Sequence, residues 1–103
     1  MKTMDGILKE ELARLKVTEK GYAREIRKLP KGTIHEKRIK RHLYPYLVYS
    51  KGSKVIYRYV GKLAEAELAK LKDDIVLRKK YQTLLRETRQ NIRRIEKILH
   101  GKR

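Results

Sequence analysis

Tyrosines and cations crowd into one short stretch of this chain. Leu43 to Lys62, LYPYLVYSKGSKVIYRYVGK, holds five of the seven tyrosines together with Lys51, Lys54, Arg58 and Lys62, and Arg41 stands just ahead of it. A phenol ring beside such cations has a defined chemical use. The ring can stack on a nucleobase, its hydroxyl can reach a phosphate, and the cations neutralise the backbone charge. Core filling is the ordinary use of any single strand tyrosine, so it is their gathering beside lysine and arginine that points to a polyanion.

For these side chains to share a surface, the stretch must fold back on itself. Lys51-Gly52-Ser53-Lys54 separates two runs rich in β-branched and aromatic residues, the pattern of an antiparallel hairpin. Gly52 supplies the positive φ of a tight loop, in a type II′ turn or at a bulge. A loop of Gly52-Ser53 alone puts Tyr44, Tyr46, Val48, Val55, Tyr57 and Tyr59 on one face and Leu47, Tyr49, Ile56, Arg58 and Val60 on the other. A three-residue loop flips the second strand, and Arg58 then joins Tyr44 and Tyr46. Pro45 cannot donate to a ladder, so the start of its strand lies at an edge or runs past its neighbour.

Upstream, Thr33 to Lys40 (TIHEKRIK) reads as a further strand, the most basic of the three with Lys37, Arg38, Lys40 and the adjoining Arg41. Its ordinary use is a solvated edge strand kept from aggregating by charge. Ile34 and Ile39 have opposite parity, so either a bulge shifts the phase or only one of them is buried.

Helices are expected on both sides. Over residues 5–29, Leu8, Leu12, Leu15, Glu19, Tyr22, Ile26 and Leu29 recur at alternating steps of four and three, a coiled-coil seam with one polar position. Asp5 is the expected N-cap, Gly21 weakens or kinks the middle, and Pro30 ends the helix. From Leu63 to His100 nothing interrupts helical periodicity, although the apolar stripe drifts between Arg78 and Gln82, which predicts a bend or a change of partner there. At about 1.5 Å per residue such a helix outruns a small globule. Part of it must therefore pack on the first helix or on another copy of the chain. Gly101 stops it, leaving Lys102 and Arg103 as a short basic end.

The charge sets the expected partner. The 103 residues, read as one domain, carry 29 Lys+Arg against 12 Asp+Glu, a formal net charge of +17. That is well above the magnitude of about 2–8 that keeps a small domain soluble. Self-repulsion on this scale is relieved by a polyanion. Residues 23–62 hold 12 basic against 2 acidic side chains and residues 78–103 hold 10 against 2, so the surplus sits on the sheet and the distal helix. A 40% share of charged residues, with Asn91 the only asparagine and no cysteine, also resembles proteins of hot habitats. Thermophily accounts for many charges but not for their imbalance.

Other chemistries find no support. His35, His42 and His100 lack metal-site spacing, there are no thiolates for a zinc site, and no phosphate-cradling glycine motif occurs. Glu10-Glu11 and Asp73-Asp74 stand on helices beside basic residues, where ion pairing is the usual role. No enzymatic activity, cofactor or metal is expected. No apolar run approaches a membrane span and MKTMDG lacks the hydrophobic region of a signal peptide, so the expected setting is cytoplasmic.

The pattern YxYLVYSKGSKVIYRYVGK, with a basic strand opening at Gly32-Thr33-Ile34 before it and a charged helix after it, resembles small archaeal and bacterial β-ribbon proteins with a helical tail. It is also similar to the amino-terminal β modules of some transposases and the three-stranded arm-binding domains of tyrosine recombinases. That resemblance implies a sheet laid into a DNA groove, with Lys37, Arg38, Lys40, Lys51, Lys54, Tyr57 and Arg58 in contact. It implies no strand exchange, because no catalytic domain accompanies it here.

The expected fold is α+β, a three-stranded antiparallel sheet between two long helices packed as an antiparallel hairpin or a dimeric coiled coil. The expected function is nucleic-acid binding, of double-stranded DNA in preference to RNA and in an architectural or regulatory role, by a homodimer joined through the long helices, with Lys37, Arg38, Lys40, Arg41, Tyr44, Tyr46, Lys51, Lys54, Tyr57 and Arg58 in contact. An RNA- or ribosome-associated role and a coiled-coil scaffold for an acidic protein are the alternatives.

Overall fold

The computed structural model describes residues 3–101. Lys102 and Arg103, the basic end noted in the sequence, lie outside them. Five elements follow one another: α1 (Met4–Lys28), β1 (Thr33–Ile39), β2 (His42–Lys51), β3 (Lys54–Tyr59) and α2 (Glu65–His100). The three strands form one antiparallel sheet in the order β1-β2-β3. Helix, sheet and long helix thus come in the predicted sequence.

Two compact units share these elements. One gathers α1 with the part of α2 from Lys79 onward, and the other comprises Leu29–Arg78. The drift of the apolar stripe near Arg78 therefore marks a change of partner. Before it, Leu68, Leu71 and Ile75 pack on the sheet; after it, Tyr81 meets Tyr22 of α1 with ring centroids 5.8 Å apart.

In the helical unit the seam predicted on α1 is the side turned inward, with Leu15 and Ile26 buried. Leu85, Ile92 and Thr88 are the buried residues of α2 here. Thr88 satisfies its hydroxyl locally, donating to the Leu84 carbonyl at 2.8 Å. Glu19, the polar seam position, accepts from Arg89 Nε at 3.0 Å, and Lys16 faces Glu96 at 3.9 Å. Positions 16, 19 and 22 thus meet 96, 89 and 81, which makes the helices antiparallel within one chain. The amino-terminal cap is Thr3 rather than Asp5. The Thr3 hydroxyl accepts from the Gly6 amide at 3.0 Å, while Asp5 falls in the first turn, where a carboxylate offsets the exposed amides of the helix start. The helix continues through Gly21 unbroken.

In the sheet unit, Leu47, Val60 and Ile75 form the core, with Ile34, Tyr49, Leu63, Leu68 and Leu71 packed against it. The β1–β2 ladder runs without a bulge from Thr33↔Val48 to Ile39↔His42. Of the two isoleucines of opposite parity, only Ile34 reaches the core, and Ile39 is 52% exposed. Pro45 sits in the central strand, yet its missing donor costs nothing. Its carbonyl accepts from Val60 at 3.1 Å, so its nitrogen faces the same way, past the last β2–β3 pair, Tyr46↔Tyr59.

One glycine is held in place by the sheet. Gly32 has φ +117°, and a Cβ there would lie 2.5 Å from the Val48 carbonyl oxygen. A side chain would meet backbone, which cannot swing away. Gly32→Ala is expected to lower stability by about 1–3 kcal/mol. Gly21→Ala, on a helix position with open space around it, should raise stability by about 1 kcal/mol. Paired urea titrations test both: the midpoints should move in opposite directions with unchanged slopes.

Candidate functional site

Strand register decides which side chains can act together. Tyr46 pairs with Tyr59, Val48 with Tyr57 and Lys51 with Lys54, so the loop is Gly52-Ser53 alone. Gly52 has φ +64° and Ser53 does not share the positive φ, the pattern of a type II′ turn. Directly opposed residues point to the same side of a sheet. His35, Lys37 and Ile39 of β1, His42, Tyr44, Tyr46 and Val48 of β2, and Val55, Tyr57 and Tyr59 of β3 therefore share the face opposite the core.

That face is an aromatic cluster open to solvent. The Tyr46 ring lies 5.4 Å from Tyr59 and 6.5 Å from Tyr57, and Tyr44 lies 6.3 Å from both Tyr59 and His42. The interplanar angles of 47–76° make these tilted and edge contacts, the arrangement aromatic quadrupoles prefer. Tyr44 and Tyr46 are half-buried by their neighbours, whereas Tyr57 and Tyr59 remain 53% and 42% exposed. Lys37 crosses from β1 to lay its ammonium 5.2 Å from the Tyr46 centroid and 4.7 Å from that of Tyr57. At an exposed site such a cation–π contact contributes about 0.5–1 kcal/mol.

Of the ten residues expected from sequence to make contact, Lys37, Tyr44, Tyr46 and Tyr57 are brought together here. Lys40 and Arg41 form the β1–β2 turn, with Lys40 at φ +58°, the one positive φ on a non-glycine among the described residues. Arg38, Lys51, Lys54 and Arg58 fall on the opposite parity, that of Leu47. Lys51 and Lys54 flank the hairpin turn and are exposed, and Arg58 borders a cavity of about 550 Å³ with Lys62, Lys70, Leu47 and Val60. Tyr59, His35 and His42 join the face without having been singled out. Parity relative to Tyr46 was the signal for all three: it was readable for His42, on the same strand, and waited on the turn lengths for Tyr59 and His35.

Gly61 explains the placement of the Tyr59 ring. A Cβ on Gly61 would overlap the ring and its hydroxyl, so the ring lies across the bare backbone of the residue two positions on. Gly61→Ala is expected to push the Tyr59 ring aside while the strands stay paired. In proton NMR the ring resonances of Tyr44 and Tyr46 should shift, with cross-strand amide contacts retained.

Basic side chains also mark the helical unit. Arg86, Arg89 and Arg93 border a groove of about 330 Å³ with Ile26, Gln82 and Leu85. Arg89 is tied to Glu19, while Arg86 and Arg93 are exposed. Among the described residues no helix is long and apolar enough to cross a membrane.

No curated protein and no solved structure matches this chain. One family model does, over residues 7–70, which take in most of α1, the whole sheet and the start of α2. The match spans more than half of the sequence, and the chain belongs to the family described as Domain of unknown function (DUF6788).

Proposed function

We propose that this protein binds nucleic acid through the open face of its sheet, with cations of the turns and margins contacting phosphates. Four mutually supporting tyrosines on the open face beside Lys37, two of them exposed, on a chain of net charge +17, are the observation that carries this function. A sheet face this aromatic would be covered if the rings were there to fill a core. The likeness of Gly32–Lys62 to the sheet modules of transposases and tyrosine recombinases points the same way, toward binding without strand chemistry, in a cytoplasmic setting. The charge left after internal pairing is suited to sequence-independent phosphate contacts.

A second copy of the chain is the natural oligomeric partner. Ile7, Val17 and Ile98 stay exposed on α1 and α2 after the two helices have paired. A dimer is the expected mass in size-exclusion chromatography with light scattering. A scaffold role toward an acidic protein is the competing function, favoured by the exposed Arg86 and Arg93 beside the apolar Ile26 and Leu85.

Gel shifts across a salt series decide between them. Affinity for nucleic acid should fall steeply as salt rises, because bound cations release counterions from the phosphates. Lys40→Gly should reduce the salt slope by about one unit while leaving the fold at least as stable, since a left-handed φ costs a lysine about 1–2 kcal/mol. Purified protein free of absorbance at 260 nm that ignores every nucleic acid at low salt would favour the scaffold.

A further inference from the structure

We infer that the open face takes unpaired nucleobases, stacked on Tyr57 and Tyr59, with the Lys37 ammonium leaving the rings to hold the adjacent phosphate. This rests on the nucleic-acid function proposed above and names its substrate class, a single-stranded or locally unpaired segment.

Spacing is the first reason. Tyr57 and Tyr59 are two residues apart on β3, about 6.6 Å along the strand. Successive bases in a duplex rise only about 3.4 Å. Two neighbouring bases can therefore each cover one of these rings only where they have come apart from one another. Paired bases also have both π-faces occupied by their neighbours, so a groove offers edges and methyl groups but no surface for a tyrosine to stack on.

Charge agrees with spacing. Within the strands of the open face Lys37 is the one lysine or arginine, since Arg38, Lys51, Lys54 and Arg58 have the other parity. A duplex reader would set cations where this face sets rings. Single-strand binders combine aromatic platforms with a few phosphate contacts.

Lys37 gives the platform a closed state without ligand. Its ammonium sits 4.7 Å from the Tyr57 centroid, over a ring surface that a base would need. Stacking displaces the cation by a few ångströms, on the scale of a side-chain swing, and the same lysine then meets the phosphate the base brings with it. Tyr46, in contact with both Tyr57 and Tyr59, supports the two rings from the neighbouring strand.

The test is fluorescence anisotropy with the full chain and five labelled probes of equal length: single-stranded DNA, the same sequence in RNA, its duplex DNA, its duplex RNA, and an abasic strand. The single strands are expected to bind more tightly than either duplex, and the abasic strand, with its phosphates intact, to bind weakly. The DNA and RNA strands together show whether the 2′-hydroxyl matters, and stacking predicts binding of both. Tyr57→Ala and Tyr59→Ala should each weaken single-strand binding about 5- to 150-fold, with the circular-dichroism melt retained, and Tyr57→Phe should restore it. Lys37→Met should flatten the single-strand salt slope by about 0.7. Equal binding of the abasic strand, or tighter binding of a duplex, overturns the stacking inference while nucleic-acid binding itself stands. Absence of binding to all five probes at low salt removes both. Loss of a dimer on Tyr57→Ala would overturn it in favour of a second copy covering the rings.

Discussion

A two-residue turn governs what this sheet can do. Because Gly52-Ser53 closes the hairpin with Lys51 opposite Lys54, the odd positions of β3 fall on the side of the even positions of β2. Ile56 and Val60 then face the helix, and Tyr57 and Tyr59 face water. One more loop residue would exchange them. Two phenols would be driven under α2, where Leu47, Val60 and Ile75 form the buried core, and Arg58 would stand among the remaining tyrosines. Core and open face are thus set by the same few backbone angles, and Gly52, with φ +64°, adopts them without strain.

The distribution of charge follows from that parity. The β2–β3 pairing puts Tyr44, Tyr46, Tyr57 and Tyr59 on one side and the hairpin's cations, Lys51, Lys54 and Arg58, on the other with Tyr49. The open face is consequently poorer in charge than the stretch as a whole, and its rings can lean on each other at 5.4–6.5 Å. Elsewhere the acidic residues are partly spent within the chain. Glu36 meets Lys72, Glu19 meets Arg89 and Glu96 meets Lys16. Exposed pairs like these contribute only about 0–1 kcal/mol each to stability. They organise the surface more than they hold it together, and with 29 Lys+Arg against 12 Asp+Glu they leave a large excess of positive charge.

Much of this was legible before any coordinates. Helical periodicity located both helices, the seam on α1 and the partner change near Arg78, because apolar spacing is dictated by what each turn must face. Pro45 announced that the start of its strand lies at an edge or outruns a neighbour, since an imide nitrogen cannot donate to a ladder, and the second holds. What could not be read was register. Loops of two and of three residues both suit Gly52 and its flanks, so the separation of Arg58 from Tyr46 stayed undecided in the sequence. Nor did it reveal Thr3 as the cap in place of Asp5, two good capping residues standing in one turn. Lys40 at φ +58° was likewise invisible, because lysine carries no preference for that conformation and the tight β1–β2 turn imposes it.

The sheet ends on both sides in strands that have no further neighbour, β1 and β3. Each therefore offers a row of unsatisfied amides and carbonyls to any strand that drifts alongside. Mutual repulsion between highly cationic molecules is what holds such borders apart. On the function proposed above, a nucleic acid that cancels the repulsion also lifts this protection, and molecules gathered along one strand would be poised to zip border to border. Coassembly into condensed, β-joined clusters would then be the physical cost of drawing that proposed partner with the same excess of charge that keeps the molecules apart.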